Sequence, residues 1–240
     1  MPDAPSTALT TYAAHVRPAL DRVYPSLRRA AGPRVREVLE AAQMRPGFIS
    51  DFYYGLLARP MPAASFAAVT TYSHPDMSQE LAAGVATVDG DGTWALTESG
   101  MLLAGDIQRA IGEGTQEHWA RIPAGDVEEL SRLLGVLLEA GAATGGAAFA
   151  ALVPVYEPHD ASPALCASTR LGALRHHRAD AHRAAWQSAG LTLEELREIE
   201  PDSVRRLAVE ADTNRRDAPI YTSLTEDERW SFLAILAKLP

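Results

Sequence analysis

Apolar residues recur at helical spacing in the first forty residues. The positions that carry this pattern are Leu20, Val23, Leu27, Val35, Val38 and Leu39. Residues three and four apart share one face of an α-helix, so the spacing predicts helical structure on both sides of Gly32-Pro33. Because glycine and proline interrupt helices, we expect two helices joined by a short turn there. A helix pair of this kind often forms an interface between two copies of a chain, and a homodimer is therefore expected.

Three short apolar segments and two β-type segments follow. Asp51 is placed to cap a helix that ends before Pro60, a second helix is predicted through Phe66 to Val69, and a third over 74–83. Residues 85–88 and 93–96 flank the glycine-rich turn at 89–92, which predicts a β-hairpin. Three short helices followed by a hairpin predict a winged helix-turn-helix.

The second half of the chain carries repeated helix-start signals. Three pairs have capping-box spacing, in which a capping residue precedes Glu by three positions: Asp126 with Glu129, Thr192 with Glu195, and Thr225 with Glu228. Ser162-Pro163 adds a cap followed by proline at the first helical position. The fold class predicted is mainly α, with a winged-helix domain over 1–150 and a C-terminal helical domain over 151–240.

Charge argues against a nucleic-acid partner. The chain has 31 acidic and 22 basic residues, a formal net charge of -9 and a pI near 5.3. From Pro60 to Gly105 there is no Lys or Arg, although Asp76, Glu80, Asp89, Asp91 and Glu98 are present. A predicted recognition helix and wing of this composition would repel phosphates, so DNA binding is not expected. Arginines that are dense over 17–36 remain an alternative DNA-contacting surface.

Composition also limits location and cofactors. Cys166 is the single cysteine, which excludes an internal disulfide and fits a reducing compartment. No apolar run has the length of a membrane span, and the first residues lack a secretory pattern, so we expect a soluble, cytoplasmic protein. The chain contains no phosphate-binding glycine loop and no dinucleotide fingerprint, and no cofactor is expected.

The densest group of titratable residues lies at 175–183. Helical spacing places Arg178 and His182 on the same stripe as Leu171 and Trp186, so a partly buried arginine and histidine are predicted there. Asp180 lies on the adjoining face near His177, where a carboxylate can orient an imidazole for acid/base chemistry. We predict Asp180 and His182 as catalytic residues, and Arg178, His177 and Trp186 as substrate-binding residues.

A second candidate group lies one turn apart at Glu210 and Asn214, after the expected core positions Val204 and Leu207. Glu210 is predicted to be catalytic and Asn214 to bind substrate. The alternative is a structural network in which Glu210 pairs with Arg178 and nothing is catalysed. A metal site that uses histidines with Asp180 lacks a recognised ligand spacing, and no metal is expected.

Two stretches carry a resemblance to a known family. Residues Leu96-Thr97-Glu98-Ser99-Gly100 resemble the Leu-Thr-x-x-Gly step from wing to helix in MarR-like proteins. Residues 174–186, Glu210 and 213–215 carry a second resemblance, to an actinobacterial helix-turn-helix family. This resemblance extends over nearly the whole chain. The resemblance implies a MarR-like winged helix and a regulatory role. MarR-like regulators usually keep an arginine at the wing tip, where this chain has Asp89-Gly90-Asp91-Gly92.

Three classes of function follow from these observations. The leading hypothesis is a winged-helix scaffold that binds a small organic molecule, as an enzyme of specialised metabolism using cofactor-independent acid/base catalysis. Arg178 would hold an anionic or aromatic substrate, because guanidinium groups bind carboxylates in a bidentate manner. The alternative is a ligand-responsive MarR-like transcription regulator that binds DNA as a dimer. A non-catalytic carrier is the third class.

Overall fold

A computed structural model describes residues 7–73 and 75–240. This part of the chain is mainly helical with one two-stranded antiparallel sheet, as expected for the fold class. The helices and strands are α1 (Thr7–Ala41), α2 (Phe48–Ala58), α3 (Ala63–Val69), α4 (Ser78–Ala82), β1 (Ala86–Val88), β2 (Trp94–Leu96), α5 (Glu98–His118), α6 (Ala124–Gly141), α7 (Ala147–Leu152), α8 (Pro163–Ser188), α9 (Leu193–Glu198), α10 (Val204–Asp217) and α11 (Glu226–Lys238), with a 3₁₀ helix at Ala218–Ser223.

Helix α1 is continuous through Gly32-Pro33, so the predicted turn between two helices is wrong. Ala31 and Val35, on either side of this pair, are both buried. A Cβ built on Gly114 of α5 would lie only 2.6 Å from Cα of Ala31, which places the two helix backbones in close contact. Packing along α5 therefore outweighs the local cost of proline in a helix, which is about 3 kcal/mol. The apolar face of α1 is covered within the chain, and the homodimer stays a prediction.

The third short helix differs from its prediction in length and orientation. Helix α4 contains five residues from Ser78, while 75–77 are not helical and His74 lies outside the described residues. Glu80, expected to add negative charge to the surface, is fully buried, and its Oε1 accepts the backbone N–H of Phe48 at 3.1 Å. Its carboxylate therefore faces the start of α2. The cap predicted at Asp51 is wrong, because α2 begins at Phe48 and Asp51 lies inside the helix.

The predicted hairpin is present as β1 and β2, with Val88 opposite Trp94. The step into α5 explains the Leu-Thr-x-x-Gly pattern. Thr97 caps α5 by accepting the N–H of Gly100 at 3.2 Å, and its hydroxyl donates to the carbonyl of Gly84 at 2.7 Å. A Cβ at residue 100 would lie 1.8 Å from the carbonyl oxygen of Val85, so only glycine fits this crossing.

Most predicted helix starts in the second half are observed. Ser162, Thr192 and Thr225 cap α8, α9 and α11, and the last two form capping boxes with Glu195 and Glu228. The start predicted at Asp126 is wrong, since α6 begins at Ala124 after Pro123. Proline restricts φ to values that suit the start of a helix, so Pro123 favours a start two residues before Asp126 without a side-chain cap.

Burial across the chain places the core and corrects one prediction. The main buried cluster includes residues on both sides of residue 150, such as Leu27 and Leu171, and the domain boundary stays a prediction. Val204 and Leu207 were expected in the core, but they are 86% and 55% exposed because α10 packs through Val209 and Thr213. Within the described residues, no helix combines the length and the apolar character needed to cross a membrane.

Candidate functional site

Helix α8 presents the predicted stripe to the interior. Leu171, Leu174 and Ala185 are buried along it, while the side chains of Arg178 and His182 are 13% and 19% exposed. Both polar side chains are therefore at the edge of the core. They point to the place where α8 meets α1 and α10.

Glu210 of α10 is the meeting point of three helices. Its Oε2 accepts Nη1 of Arg17 on α1 at 2.7 Å and Nη2 of Arg178 on α8 at 3.3 Å. Its Oε1 lies 3.6 Å from Nε2 of His182. The Glu210–Arg178 pair that the sequence suggested is present, and Arg17 joins it from 193 positions away in the chain.

Tyr72, in the segment between α3 and α4, completes this group. Its hydroxyl oxygen lies 3.2 Å from Nδ1 of His182 and 3.3 Å from the carbonyl oxygen of Ala179. Nε1 of Trp186 donates to the same oxygen at 3.2 Å. Glu210, His182 and Tyr72 therefore form a line of carboxylate, imidazole and phenol.

The ionisation of these side chains is altered by their surroundings. Burial lowers the pKa of His182, Glu210 opposes this effect, and neighbouring arginines lower the pKa further. Burial raises the pKa of Tyr72. The imidazole is therefore neutral and the phenol protonated near neutral pH, so His182 is able to accept a proton.

These residues border a cleft of about 290 Å³, here called the arginine cleft. It is lined by Arg17, Leu20, Asp21, Tyr72, Arg175, Arg178, Ala179, His182, Arg206 and Glu210. Four guanidinium groups face two carboxylates, which leaves an excess of positive charge in a protein whose net charge is -9. An anionic ligand is favoured by this local field.

Two of the four arginines are not neutralised by a carboxylate in the described part of the chain. Arg175 stacks over the ring of Tyr24, with its guanidinium carbon 4.5 Å from the ring centroid. Nη1 of Arg206 donates to the carbonyl oxygen of Leu196 at 2.8 Å. These two cations are free to bind a ligand anion, whereas Arg17 and Arg178 already share Glu210.

His177 lies behind the cleft, inside the core. Its Nδ1 donates to Oδ1 of Asp217 at 2.8 Å, and its Nε2 lies 2.9 Å from the hydroxyl of Thr144. Oδ2 of Asp217 accepts Nη1 of Arg178 at 3.4 Å. His177, at 1% exposure, cannot touch a ligand in the cleft and instead supports Arg178 through Asp217.

Asp180 does not orient an imidazole, contrary to expectation. Its carboxylate accepts the backbone N–H groups of Ala148 at 3.3 Å and Phe149 at 2.8 Å, and Nη2 of Arg183 at 2.8 Å. The first turn of α7 needs acceptors for such N–H groups, and Asp180 provides one from another helix. The carboxylate that pairs with His177 is instead that of Asp217, the last residue of α10.

The remaining predicted residues lie outside the cleft lining. Trp186 is buried among Leu191, Leu196 and Val209, and it reaches the site only through its hydrogen bond to Tyr72. Oδ1 of Asn214 is buried without a hydrogen-bond partner among the described residues. The structure thus brings Arg178, His182 and Glu210 together, and it separates them from Asp180 and Asn214.

Sequence reasoning missed Tyr72, Arg175, Arg206 and Arg17 as site residues. Arg175 carries the one usable signal, because it lies one turn before Arg178 on α8. Tyr72 belongs to a short non-helical segment and Arg17 to a distant helix, so no local pattern indicated either residue.

Among the described residues, no group of three or more His, Cys, Asp or Glu side chains is arranged to hold a metal ion. Comparisons with protein-family models, with curated proteins and with solved structures find no match. The functional argument therefore rests on the geometry of the site.

Proposed function

We propose that this protein binds a small organic anion in the arginine cleft and transfers a proton on it, using a winged-helix scaffold that does not bind DNA. The observation that carries the proposal is the convergence of four arginines on one cleft beside the neutral His182. A guanidinium group binds a carboxylate in a bidentate manner and fixes its orientation. Arg175 and Arg206 are the ligand-binding cations.

The line from Glu210 to Tyr72 supplies the proton path. When the ligand gives a proton to the oxygen of Tyr72, the phenol passes its own proton to Nδ1 of His182. The imidazolium that forms is stabilised by the carboxylate of Glu210, 3.6 Å from Nε2. A base that is itself oriented by a third group is the general arrangement of side-chain acid/base catalysis.

Several features support a winged-helix scaffold. Helices α2, α3 and α4 precede the β1–β2 hairpin, and α5 leaves directly from it. Met61, between α2 and α3, exchanges two backbone hydrogen bonds with Trp94 of β2, at 2.7 and 2.8 Å. A short strand-like segment before the second helix that pairs with the wing is consistent with this fold.

Other features support the absence of DNA binding. Helix α4, at the position of a recognition helix, has five residues and spans about 7.5 Å, too little to lie along a major groove. The arginines of α1 are largely engaged within the protein. Arg22 donates to carbonyls near the C-terminus, Arg28 to Ser50 and Asp51, and Arg34 to Glu113 and Glu117.

Anion binding is tested by calorimetric titration with acetate, benzoate and inorganic phosphate at low ionic strength. We expect millimolar or tighter binding that weakens about tenfold in Arg175→Gln and in Arg206→Gln, since a hydrogen bond to a charged group contributes about 1.5 kcal/mol or more. Arg36→Gln, at an exposed position of α1 outside the cleft, is the matched control. An absence of binding, or equal weakening by the control, would contradict the proposal.

A carrier with the same cleft is distinguished from an enzyme by turnover. Glu210→Gln and His182→Asn are expected to bind benzoate within about threefold of the wild type while abolishing turnover in a screen of carboxylic acids. Turnover that persists at the wild-type rate in both folded variants would exclude the proton path.

A further inference from the structure

A second cleft of about 390 Å³ adjoins the arginine cleft. The two share Tyr72, His182 and Arg206 as lining residues. The second cleft is otherwise bordered by α9 and the turn that follows it, through 193–201. A molecule seated at Tyr72 and His182 is therefore in contact with both spaces.

The two clefts differ in chemistry. Arg206 lines both clefts and Arg175 belongs to the arginine cleft alone, whereas the second cleft adds the apolar side chains of Leu193, Leu196, Ile199 and Pro201. Its charged residues are Arg197 and Arg206 against Glu198 and Glu200, so its charges balance. Leu196 is buried, and the glutamates are exposed. A space with an excess of positive charge thus meets, at the proposed reacting groups, a space without net charge that has four apolar residues in its lining.

We propose that the two clefts form one binding site for an amphipathic carboxylate, with its oxyanion in the arginine cleft and its apolar body in the second cleft. This inference rests on the proposed function and specifies the ligand class. The carboxylate binds Arg175 and Arg206, and the apolar body lies on Leu193 and Ile199. The carbon atoms next to the carboxylate then lie beside Tyr72, where the proton is transferred.

The anchoring of Tyr72 agrees with this arrangement. Its hydroxyl is held by Trp186 and lies beside His182, while Nη2 of Arg197 donates to its backbone carbonyl at 3.4 Å. Trp186 and His182 therefore hold the phenol, and Arg197 of the second cleft holds the backbone of the same residue. Tyr72 is 37% exposed, and a ligand that extends from one cleft into the other would cover this exposed surface.

The test is a calorimetric series of straight-chain carboxylates from acetate to octanoate, measured on the full chain. Burial of each added methylene is expected to tighten binding about threefold to fourfold, until the second cleft is filled. In Leu193→Glu the series is expected to become flat. Leu102→Glu makes the same change at an exposed position on α5, outside both clefts, and is expected to leave the series unchanged.

The outcomes separate this inference from the proposed function. Acetate binding that depends on Arg175, combined with no dependence on chain length, would overturn the two-cleft site and leave the anion site standing. A chain-length dependence that Leu193→Glu does not reduce would also overturn it, because the apolar body would then lie elsewhere. Failure of every carboxylate to bind would overturn the proposed function itself.

Discussion

Nδ1 of His177 lies 2.8 Å from Oδ1 of Asp217, and both side chains are buried. The second oxygen of Asp217 accepts Arg178, which also donates to Glu210. The core and the cleft are thereby connected by one series of polar contacts. Removal of Asp217 takes a hydrogen-bond acceptor from both His177 and Arg178, and this consequence is measurable.

Asp217→Ala is expected to destabilise the protein by about 3 kcal/mol, since it leaves the buried His177 without its acceptor and leaves Arg178 with Glu210 alone. Asp21→Ala removes a carboxylate of the same type from an exposed pair with Arg17, and less than about 0.5 kcal/mol is expected. Urea denaturation of both variants measures the difference. Equal losses in the free energy of unfolding would mean that the buried contacts of Asp217 stabilise the protein no more than the exposed pair does.

Gly100→Ala is expected to cost more than 2 kcal/mol, because its Cβ would collide with the carbonyl of Val85. Gly105→Ala, five residues further along α5, meets nothing within 4 Å and should stabilise the helix by up to about 1 kcal/mol. Thermal unfolding of the pair checks this prediction. A stable Gly100→Ala would mean that α5 and the hairpin separate more easily than the contact implies.

Stability is expected to fall as the pH decreases from about 6.5 to about 4. Burial, and to a smaller extent the positive charges of Arg175 and Arg183, together lower the pKa of His176 to about 4. Below pH 6.5 the unfolded chain binds a proton that the folded state does not, so the free energy of unfolding decreases until the pH reaches the folded pKa. The loss from this residue is about 3 kcal/mol at most.

His176→Gln is expected to remove most of that pH dependence, and His182 contributes a remainder of the same sign because its pKa is also lowered. His15→Gln, at an exposed position of α1, is the control. Urea denaturation at several pH values gives the slopes. An unaltered slope in His176→Gln would mean that folding does not shift the pKa of His176.

Tyr72→Phe is expected to lower the turnover of a carboxylic acid substrate about 100-fold while leaving benzoate binding within about threefold. The phenol transfers the proton in the proposed path, but it carries no charge that holds the anion. Tyr156→Phe, at an exposed tyrosine outside both clefts, serves as the control. Full activity in Tyr72→Phe would assign proton transfer to His182 acting directly on the ligand.

No saturable DNA binding is expected at micromolar protein and low salt. The wing tip at 89–92 is acidic, and α4 is short. A mobility-shift titration with fragments of the neighbouring operon tests this expectation. Sequence-selective and salt-sensitive binding would restore the regulator hypothesis and require a different contact surface.

Local signals in the sequence predicted the elements of the fold well. The caps at Ser162, Thr192 and Thr225 satisfy the first N–H groups of their own helices, so short stretches of sequence are sufficient to locate them. The same holds for the hairpin turn at 89–92 and for the partly buried side chains of Arg178 and His182, which follow from helical spacing.

The tertiary structure decided what local patterns do not contain. The continuity of α1 depends on its contact with Gly114, and the burial of Glu80 depends on the start of α2. The site joins residues that are 193 positions apart in the chain, Arg17 and Glu210. Helical caps and periodicity act over three to seven residues, whereas the partner of a buried charge is set by which helices pack together. For this reason the sequence by itself located most helices and the two candidate groups of polar residues, at 175–183 and at Glu210 and Asn214. Only packing determined that Tyr72, His182 and Glu210 meet beside the arginines.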